Sequence, residues 1–324
     1  MNEATARAHP NIAFIKYWGN IDETLRLPAN PSLSMNLDGI LTETRVRWDT
    51  TLASDTLRIN NAPAEPKALE RVSQHLDLLR QRLSIDSFAA VDSSNNFPMG
   101  AGIASSASAF AALTVAGVAA AGAALSEKEL TVLARQGSGS AARSVPSGFV
   151  EWFASPNSDA SFARSIAPQD HWSLVDVIAV VSKSHKKVGS TQGHGSANTS
   201  DLQGARVAGA AERVRQCREA VLNRDFAAFA EIVEHDSNLM HAVMMTSQPP
   251  LFYWEPPTLT VMEKVREWRA DGVRVCYTLD AGPNIHCLCL EEDSAQVIAG
   301  LQGVTGVLDI ITAKPGGGAV VVGA

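Results

Sequence analysis

Polar and apolar residues alternate through residues 41–48, LTETRVRW, with the period of a half-exposed strand. The period then changes: Leu69, Val72, Leu76, Leu79 and Leu83 recur at intervals of three and four, which predicts a helix with one buried stripe. An apolar strand near 87–91 runs into the loop DSSNNFPMGAG, followed by an alanine-rich helix and a second helical stretch ending near Gln136. Strands near 148–153 and 174–181 come after GSGSAARSVPSG. Past the polar, glycine-punctuated KSHKKVGSTQGHGSANTS, helices dominate. Val207, Ala211, Val214, Cys217 or Arg218, and Val221 mark one; Phe226, Phe229, Val233 and Met240 a second; Val261, Met262, Val265 and Trp268 a third. VRVCYTL and IHCLCL read as strands flanking the turn DAGPN, and a short helix and two strands close the chain. There is no internal repeat and no regular βαβ alternation. The pattern therefore predicts an α+β fold, mainly antiparallel sheets with helices packed on one side, divided at the polar loop into residues 1–182 and 183–324.

Composition narrows the chemistry. The 324 residues are 45% apolar, enough for a substantial core, and the net charge of −7 provides no global field to attract nucleic acid or an anionic membrane. Any anionic ligand must be held by locally placed cations and backbone amides. Cys217, Cys276, Cys287 and Cys289 show no CxxC spacing, and three lie in apolar runs; buried thiols in a reducing cytoplasm are expected rather than zinc ligands or disulfides. Residues 107–125 are uncharged, but nearly half are alanine, so a buried soluble helix is expected rather than a membrane span. The start lacks the basic-then-apolar order of a signal peptide.

The strongest chemical signal is NNFPMGAGIASSASAF, residues 95–110, where a strand feeds a small-residue loop that opens into a helix. Gly100 and Gly102 let a ligand approach the backbone, and Ser105 and Ser106 fall where helix amides are unpaired, the makings of an anion site. Taken alone, the stretch fits an ordinary N-capped core helix equally well. There is no Walker A string, which excludes a P-loop NTPase. GSGSAARS, residues 137–144, follows a helix and is not a dinucleotide fingerprint, but Arg143 beside Ser138 and Ser140 makes a compact donor set for carboxylate or phosphate. Asp280 projects from a strand end in a Gly-Pro turn, a position that also suits a plain Asx-turn residue. His185, His194, His241 and His286 show no metal-ligand pairing and read as surface or core histidines. Asp236, on an apolar stripe, reads as a paired core carboxylate, Met244 and Met245 as packing, and PGGGAVVV as a turn into a terminal strand.

Taken in order, NIAFIKYWGN, NNFPMGAGIASSAS, GSGSAARS, KKVGSTQG, PPLFY and YTLDAGPN resemble the mevalonate diphosphate decarboxylases of the GHMP kinase superfamily over nearly the whole chain. The resemblance implies a two-lobed GHMP-kinase-like fold with the active-site cleft between the lobes. It implies an ATP- and Mg²⁺-dependent carboxy-lyase that phosphorylates the 3-hydroxyl of 5-phosphorylated mevalonate and then releases phosphate and CO2. By analogy, Met99, Gly100, Gly102, Ala104, Ser105, Ser106 and Asn96 hold the nucleotide, with Ser106 also at the metal. Arg143 holds the substrate carboxylate, Ser138 and Ser140 its 5-phosphate end, and Asp280 the 3-hydroxyl. Lys16 stands beside the hydroxyl and the transferred phosphate, and Tyr17, Asn20 and Thr191, the last in a loop, complete the substrate pocket. A cytoplasmic enzyme is implied, with no nucleic-acid or membrane partner, in a family where dimers are frequent.

Three positions depart from the family pattern. Asn20 stands where Lys-Tyr-Trp-Gly-Lys is common, and His194-Gly195 where Met and a polar side chain are usual. A monophosphate needs fewer cations than a diphosphate, so the expectation is mevalonate 5-phosphate converted to isopentenyl phosphate, with mevalonate 5-diphosphate as the alternative. Lys183, Lys186 or Lys187 are candidates to supply the lost charge. A mevalonate 3-kinase that stops after phosphorylation is less compatible with Arg143 beside the paired serines, and a non-catalytic relative with the retention of Lys16, Ser106, Arg143 and Asp280 together.

Overall fold

The computed structural model describes residues 2–97, 105–183 and 189–323, apart from the Thr191 side chain. Along the chain, β1 (Glu3–Ala8), β2 (Asn11–Ile15), β3 (Asn20–Asp22), β4 (Leu27–Pro28), β5 (Ser32–Asp38), β6 (Thr42–Asp49), β7 (Thr56–Ile59) and β8 (Ala62–Pro63) precede α1 (Pro66–Leu83) and β9 (Phe88–Asn95). Then come α2 (Ser105–Ala120), α3 (Glu127–Gly137), a 3₁₀ turn over Gly139–Ser144, β10 (Phe149–Trp152), β11 (Ala163–Ala167) and β12 (Leu174–Val180). The remainder holds α4 (Ser190–Ser196), α5 (Gln203–Asn223), α6 (Phe226–Thr246), α7 (Pro256–Ala270), β13 (Val275–Thr278), β14 (Ile285–Leu290), α8 (Ser294–Gln302), β15 (Asp309–Pro315) and β16 (Val320–Val322).

A six-stranded sheet runs β16-β1-β6-β9-β7-β8, antiparallel except where β7 pairs with β9. Its apolar face, with Val46, Trp48 and Val91, packs on α1, α2 and α3. Ala and Gly let α2 lie close to the sheet, buried on nearly all sides, as expected of its composition. Pro66 starts α1 and left-handed Ser84 ends it, while a Ser126–Glu129 capping box starts α3. The second sheet runs β11-β10-β5-β15-β12-β14-β13, with β2 also paired to β5. Its strands β12–β14 are apolar on both faces: Ile178 and Cys276 meet the core of α5 and α6, whereas Val177, Val275 and Cys287 meet that of α7 and α8. All four cysteines are buried free thiols.

The α+β class is as expected, and the two layers interlock. The terminal strand β16 returns to β1, and β15 bridges β12 to β5, so the expected division at residue 182 falls just after a strand that pairs only with strands following it. Among the described residues no helix is long and apolar enough to cross a membrane. Periodicity misplaces the buried stripe in the first half of α5. Ala211 is exposed, while Gln203, Arg206 and Arg213 are buried with Ala210. Their polar ends enter because buried backbone carbonyls and a carboxylate await them, described below.

Among the described residues, His75, His241 and His286 are enclosed in the interior, and burial shifts the pKa of the first two. The Thr114 hydroxyl donates to the Phe110 carbonyl at 2.7 Å, so His75 Nε2 must be the donor in its 2.8 Å contact with Thr114, leaving Nδ1 buried without a partner. Burial, followed by the charge of Arg26, holds its pKa down to about 3; burial, then Lys16, does the same for His241. Unfolding therefore takes up protons between pH about 6.5 and 3, and the contribution, complete above that window, is lost as pH falls through it. Urea midpoints are expected to drop steadily from pH 7 to pH 4, and His75→Gln to flatten the slope by up to about one proton. A midpoint that rises on acidification would contradict this account.

Candidate active site

The site begins at the end of β2, where the strand leaves the sheet and Lys16, Tyr17 and Trp18 are buried. Backbone atoms buried outside a sheet need other partners, and helices α5 and α6 provide them. Asp236 accepts the Lys16 N–H at 2.6 Å and Arg213 Nε at 2.6 Å. The Lys16 carbonyl accepts from Arg206 at 2.6 Å and Asn30 at 2.9 Å, and the Trp18 carbonyl from Gln203 at 2.9 Å. The rings need space: a Cβ on Gly139 would lie 2.5 Å from Tyr17, and one on Gly193 would lie 2.5 Å from Trp18.

Held this way, Lys16 sends Nζ to Asp280 Oδ1 at 2.8 Å. The lysine is 1% exposed; burial pushes its ammonium pKa down, and the Asp280 carboxylate opposes that shift. Asp280 comes from the turn after β13. The third charged group, Arg143, lies in the 3₁₀ turn over Gly139–Ser144. On β5 the period of two puts Leu33, Met35 and Leu37 into the core and Ser32 and Ser34 toward that turn, with Asn36 on the same face donating to the Pro146 carbonyl. Ser32 Oγ accepts from Arg143 Nη1 at 2.6 Å and Ser34 Oγ from Nε at 3.0 Å, while Nη2 has no partner among the described hydrogen bonds. Burial lowers the Arg143 pKa to about 10, still a cation at neutral pH.

Lys16, Arg143 and Asp280 line one cavity of about 90 Å³ with Tyr17, Ser140 and His194. Ser106 belongs to it and also to a neighbouring, largely apolar cleft of about 160 Å³, walled by Leu57, Ile59, Val72 and Phe110. A polar reaction chamber thus adjoins an apolar slot across one serine at the start of α2. Such a pair suits a flat base in the slot with its polar chain reaching the chamber.

Residues 8–163 match the family model described as diphosphomevalonate decarboxylase-like N-terminal domain, and residues 176–314 match the mevalonate 5-diphosphate decarboxylase C-terminal domain. The chain belongs to the diphosphomevalonate decarboxylase family. Diphosphomevalonate decarboxylase mvd1 of Aspergillus fumigatus is 39% identical over 94% of this chain and 80% of its own length, and the Homo sapiens enzyme 34% over 91% and 78%. Mevalonate diphosphate decarboxylase from Staphylococcus aureus has the same fold, with a TM-score of 0.94 at 36% identity over 99% of this chain and 98% of that one. A structure described as MDDEF in complex with MVAPP, AMPPCP and magnesium is 35% identical with a TM-score of 0.93, covering 99% of both chains.

Among the residues expected in this family site, Lys16, Arg143, Asp280, Tyr17, Ser140 and Ser106 meet in the chamber. Ser105 lines the apolar cleft, and Ser138 lies under Ser106 with hydroxyls 3.1 Å apart. Asn20 accepts from the Tyr17 hydroxyl and donates to Glu23 at 2.8 Å. Asn96 accepts from the Leu41 N–H and donates to the Gly39 carbonyl, so its side chain braces a turn; its neighbour Asn95 lines the cleft. Met99, Gly100, Gly102 and Ala104 lie outside the described residues, as do Lys186, Lys187 and the Thr191 side chain. Lys183 pairs with Asp309 at 3.0 Å.

Two expectations are corrected. Thr191 belongs to helix α4 rather than a loop, and His194, expected at the surface or in a core, lines the chamber. Ser32, Ser34, Arg206 and Asp236 support the site without having been expected there. The alternation S-L-S-M-N-L was the available signal for the serines; the helical arginines gave none, since their partners are distant carbonyls. Asp236 is fully buried between Arg213 and the Lys16 amide. Asp236→Ala is expected to destabilise the fold by about 3–5 kcal/mol, the cost of leaving a buried cation unpaired. Urea unfolding measures it, and a loss within experimental error would show that the pair does not anchor this turn.

Proposed function

We propose that the chain catalyses the ATP-dependent decarboxylation of 5-phosphorylated mevalonate. The observation that carries this reading is the Lys16–Asp280 pair, 2.8 Å apart, in one chamber with the Arg143 guanidinium. In the reaction, the substrate 3-oxygen attacks the γ-phosphorus of ATP and the bond to the β-phosphate oxygen breaks, releasing ADP. The hydroxyl proton leaves toward Asp280 or the phosphate. The C3–O bond of the resulting phosphate ester then breaks, with phosphate taking the electron pair, and the carboxylate departs as CO2 while its bonding electrons form the alkene.

Each residue meets one demand of that sequence. Asp280 orients the hydroxyl and faces positive charge developing at C3. Lys16, dried by burial and clamped by its backbone, neutralises the phosphoryl group in passage. Arg143, which lines the chamber, holds the carboxylate until C–C cleavage. The apolar cleft receives the adenine, so the phosphates cross at Ser106. A Mg²⁺ ion carried by nucleotide phosphates needs only one or two protein oxygens. The Ser106 hydroxyl, placed at the seam of the two cavities, fits that need, and the ion would neutralise charge on the transferred group.

On the length of the tail, the relatives' names support mevalonate 5-diphosphate, which displaces the expected monophosphate as the leading reading. One observation favours the monophosphate as a second reading: buried Asn20 brings no charge and holds Glu23 at 2.8 Å, adding a carboxylate where the resemblance calls for a cation. Purified protein given ATP and mevalonate, its 5-phosphate or its 5-diphosphate, with ADP and CO2 both followed, is expected to release the two products together, fastest with the diphosphate. ADP without CO2 would make it a kinase. Asp280→Asn is expected to lower kcat at least about a hundredfold while leaving ATP affinity nearly intact; a variant keeping a tenth of the wild-type kcat would defeat the role given to Asp280. Asn20→Lys is expected to raise the kcat/KM ratio of diphosphate over monophosphate about tenfold, and an unchanged ratio would place the tail elsewhere.

A further inference from the structure

We infer that His194 determines specificity in this site: fixed with its proton on Nε2, it donates a hydrogen bond to a phosphoryl oxygen of the substrate's 5-tail. The inference rests on the reading that the chamber takes 5-phosphorylated mevalonate.

The tautomer follows from one bond. The Gly19 N–H donates to His194 Nδ1 at 3.0 Å, so Nδ1 presents a lone pair, and a neutral ring must carry its proton on Nε2. The ring cannot readily turn. Its centroid lies 4.1 Å from Tyr17, nearly parallel to it, and 4.5 Å from Trp18. Turning it over would also break the Gly19 bond. No described residue bonds Nε2, and the ring lines the chamber beside Ser140 and Arg143. Protonation would set two N–H donors against each other at Gly19. Burial, then the charges of Arg26, Arg206 and Arg143, holds the pKa down to about 3, so the ring stays neutral at working pH.

The surroundings point to the tail. The face of Tyr17 carries His194, and its hydroxyl reaches Asn20, which replaces the family's usual lysine. Where a mobile cation would attract any phosphate in range, the chamber wall beside Arg143 has neutral, directional donors in the Ser140 hydroxyl and the His194 N–H, with neutral Asn20 behind Tyr17. Neutral donors select by position, because a hydrogen bond fails steeply with distance and angle where a charge does not.

His194→Met keeps bulk and removes the donor, while His194→Gln carries an amide N–H at similar reach. His194→Met is expected to raise KM for mevalonate 5-phosphate and 5-diphosphate about 10- to 100-fold, with kcat within about threefold and KM for ATP unchanged. His194→Gln is expected to recover most of the loss. An active wild type whose His194→Met variant keeps its KM would overturn the inference. A wild type inactive on both substrates would instead defeat the reading beneath it, and the tautomer then decides independently. Proton–nitrogen correlation spectra of histidine-labelled wild type are expected to show a protonated Nε2 and a bare Nδ1, with the Nε2 proton shifting on addition of inorganic pyrophosphate. A proton on Nδ1, or no response to pyrophosphate, would overturn the assignment. The same spectra carry the test if either variant fails to fold.

Discussion

Burying the Lys16 ammonium governs the arrangement of this molecule. A lysine taken out of water keeps its charge only if a carboxylate is held against it, and Asp280 does so from a turn 264 residues away in sequence. That contact demands that both backbones be fixed to a fraction of an ångström. The turn at Lys16 has no strand to pair with, so Asp236, Arg206, Gln203 and Asn30 take up its polar atoms. Long helices α5 and α6 lie where they do partly to deliver these groups, which is why the first half of α5 buries guanidinium groups rather than methyl groups.

The charge balance follows. Among the described residues around the chamber and just behind it, buried Lys16, Arg143, Arg206 and Arg213 face the carboxylates Asp236 and Asp280. An acidic protein thus carries a locally positive interior. Excess buried charge opposes folding, and an anionic ligand relieves it. The site is accordingly suited to polyanions that bring their own counterion, and in the proposed reading the Ser106 wall shared by the two cavities is where the nucleotide meets the acceptor.

Legibility in the sequence divided along physical lines. Helices with purely apolar stripes, such as α6 with Phe226, Phe229, Val233 and Met240, were readable because burial there is a matter of periodicity alone. Lys16, Arg143 and Asp280 were readable from short strings whose residue types carry chemistry. Buried Arg206 and Arg213 were not, because a helical arginine normally marks a solvated face, and what draws these inward is a carbonyl or carboxylate remote in sequence. β5 escaped notice for a related reason: its alternation puts serine on a buried face, where the hydroxyls serve Arg143 instead of water. The glycine-punctuated stretch around Thr191 reads as a loop, whereas Gly193 is there to let Trp18 pass close to helix α4.

In the proposed reading, Lys16, Arg143 and Asp280 frame the 3-hydroxyl and the carboxylate, and the far end of the chamber is less constrained. Under the proposed function, the groups assigned to C3 are charged and mutually dependent, so replacing one leaves another uncompensated. The tail end has no such coupling. Asn20 and His194 are neutral, and each is anchored by a neighbour, Tyr17 for one and Gly19 for the other, whose place in the fold is already set by Lys16. Recognition of the tail can therefore change from a cation to directional hydrogen bonds without disturbing the ammonium–carboxylate pair. In the proposed reading, tail recognition is thus free to change while the electrostatics at C3 hold the reaction fixed.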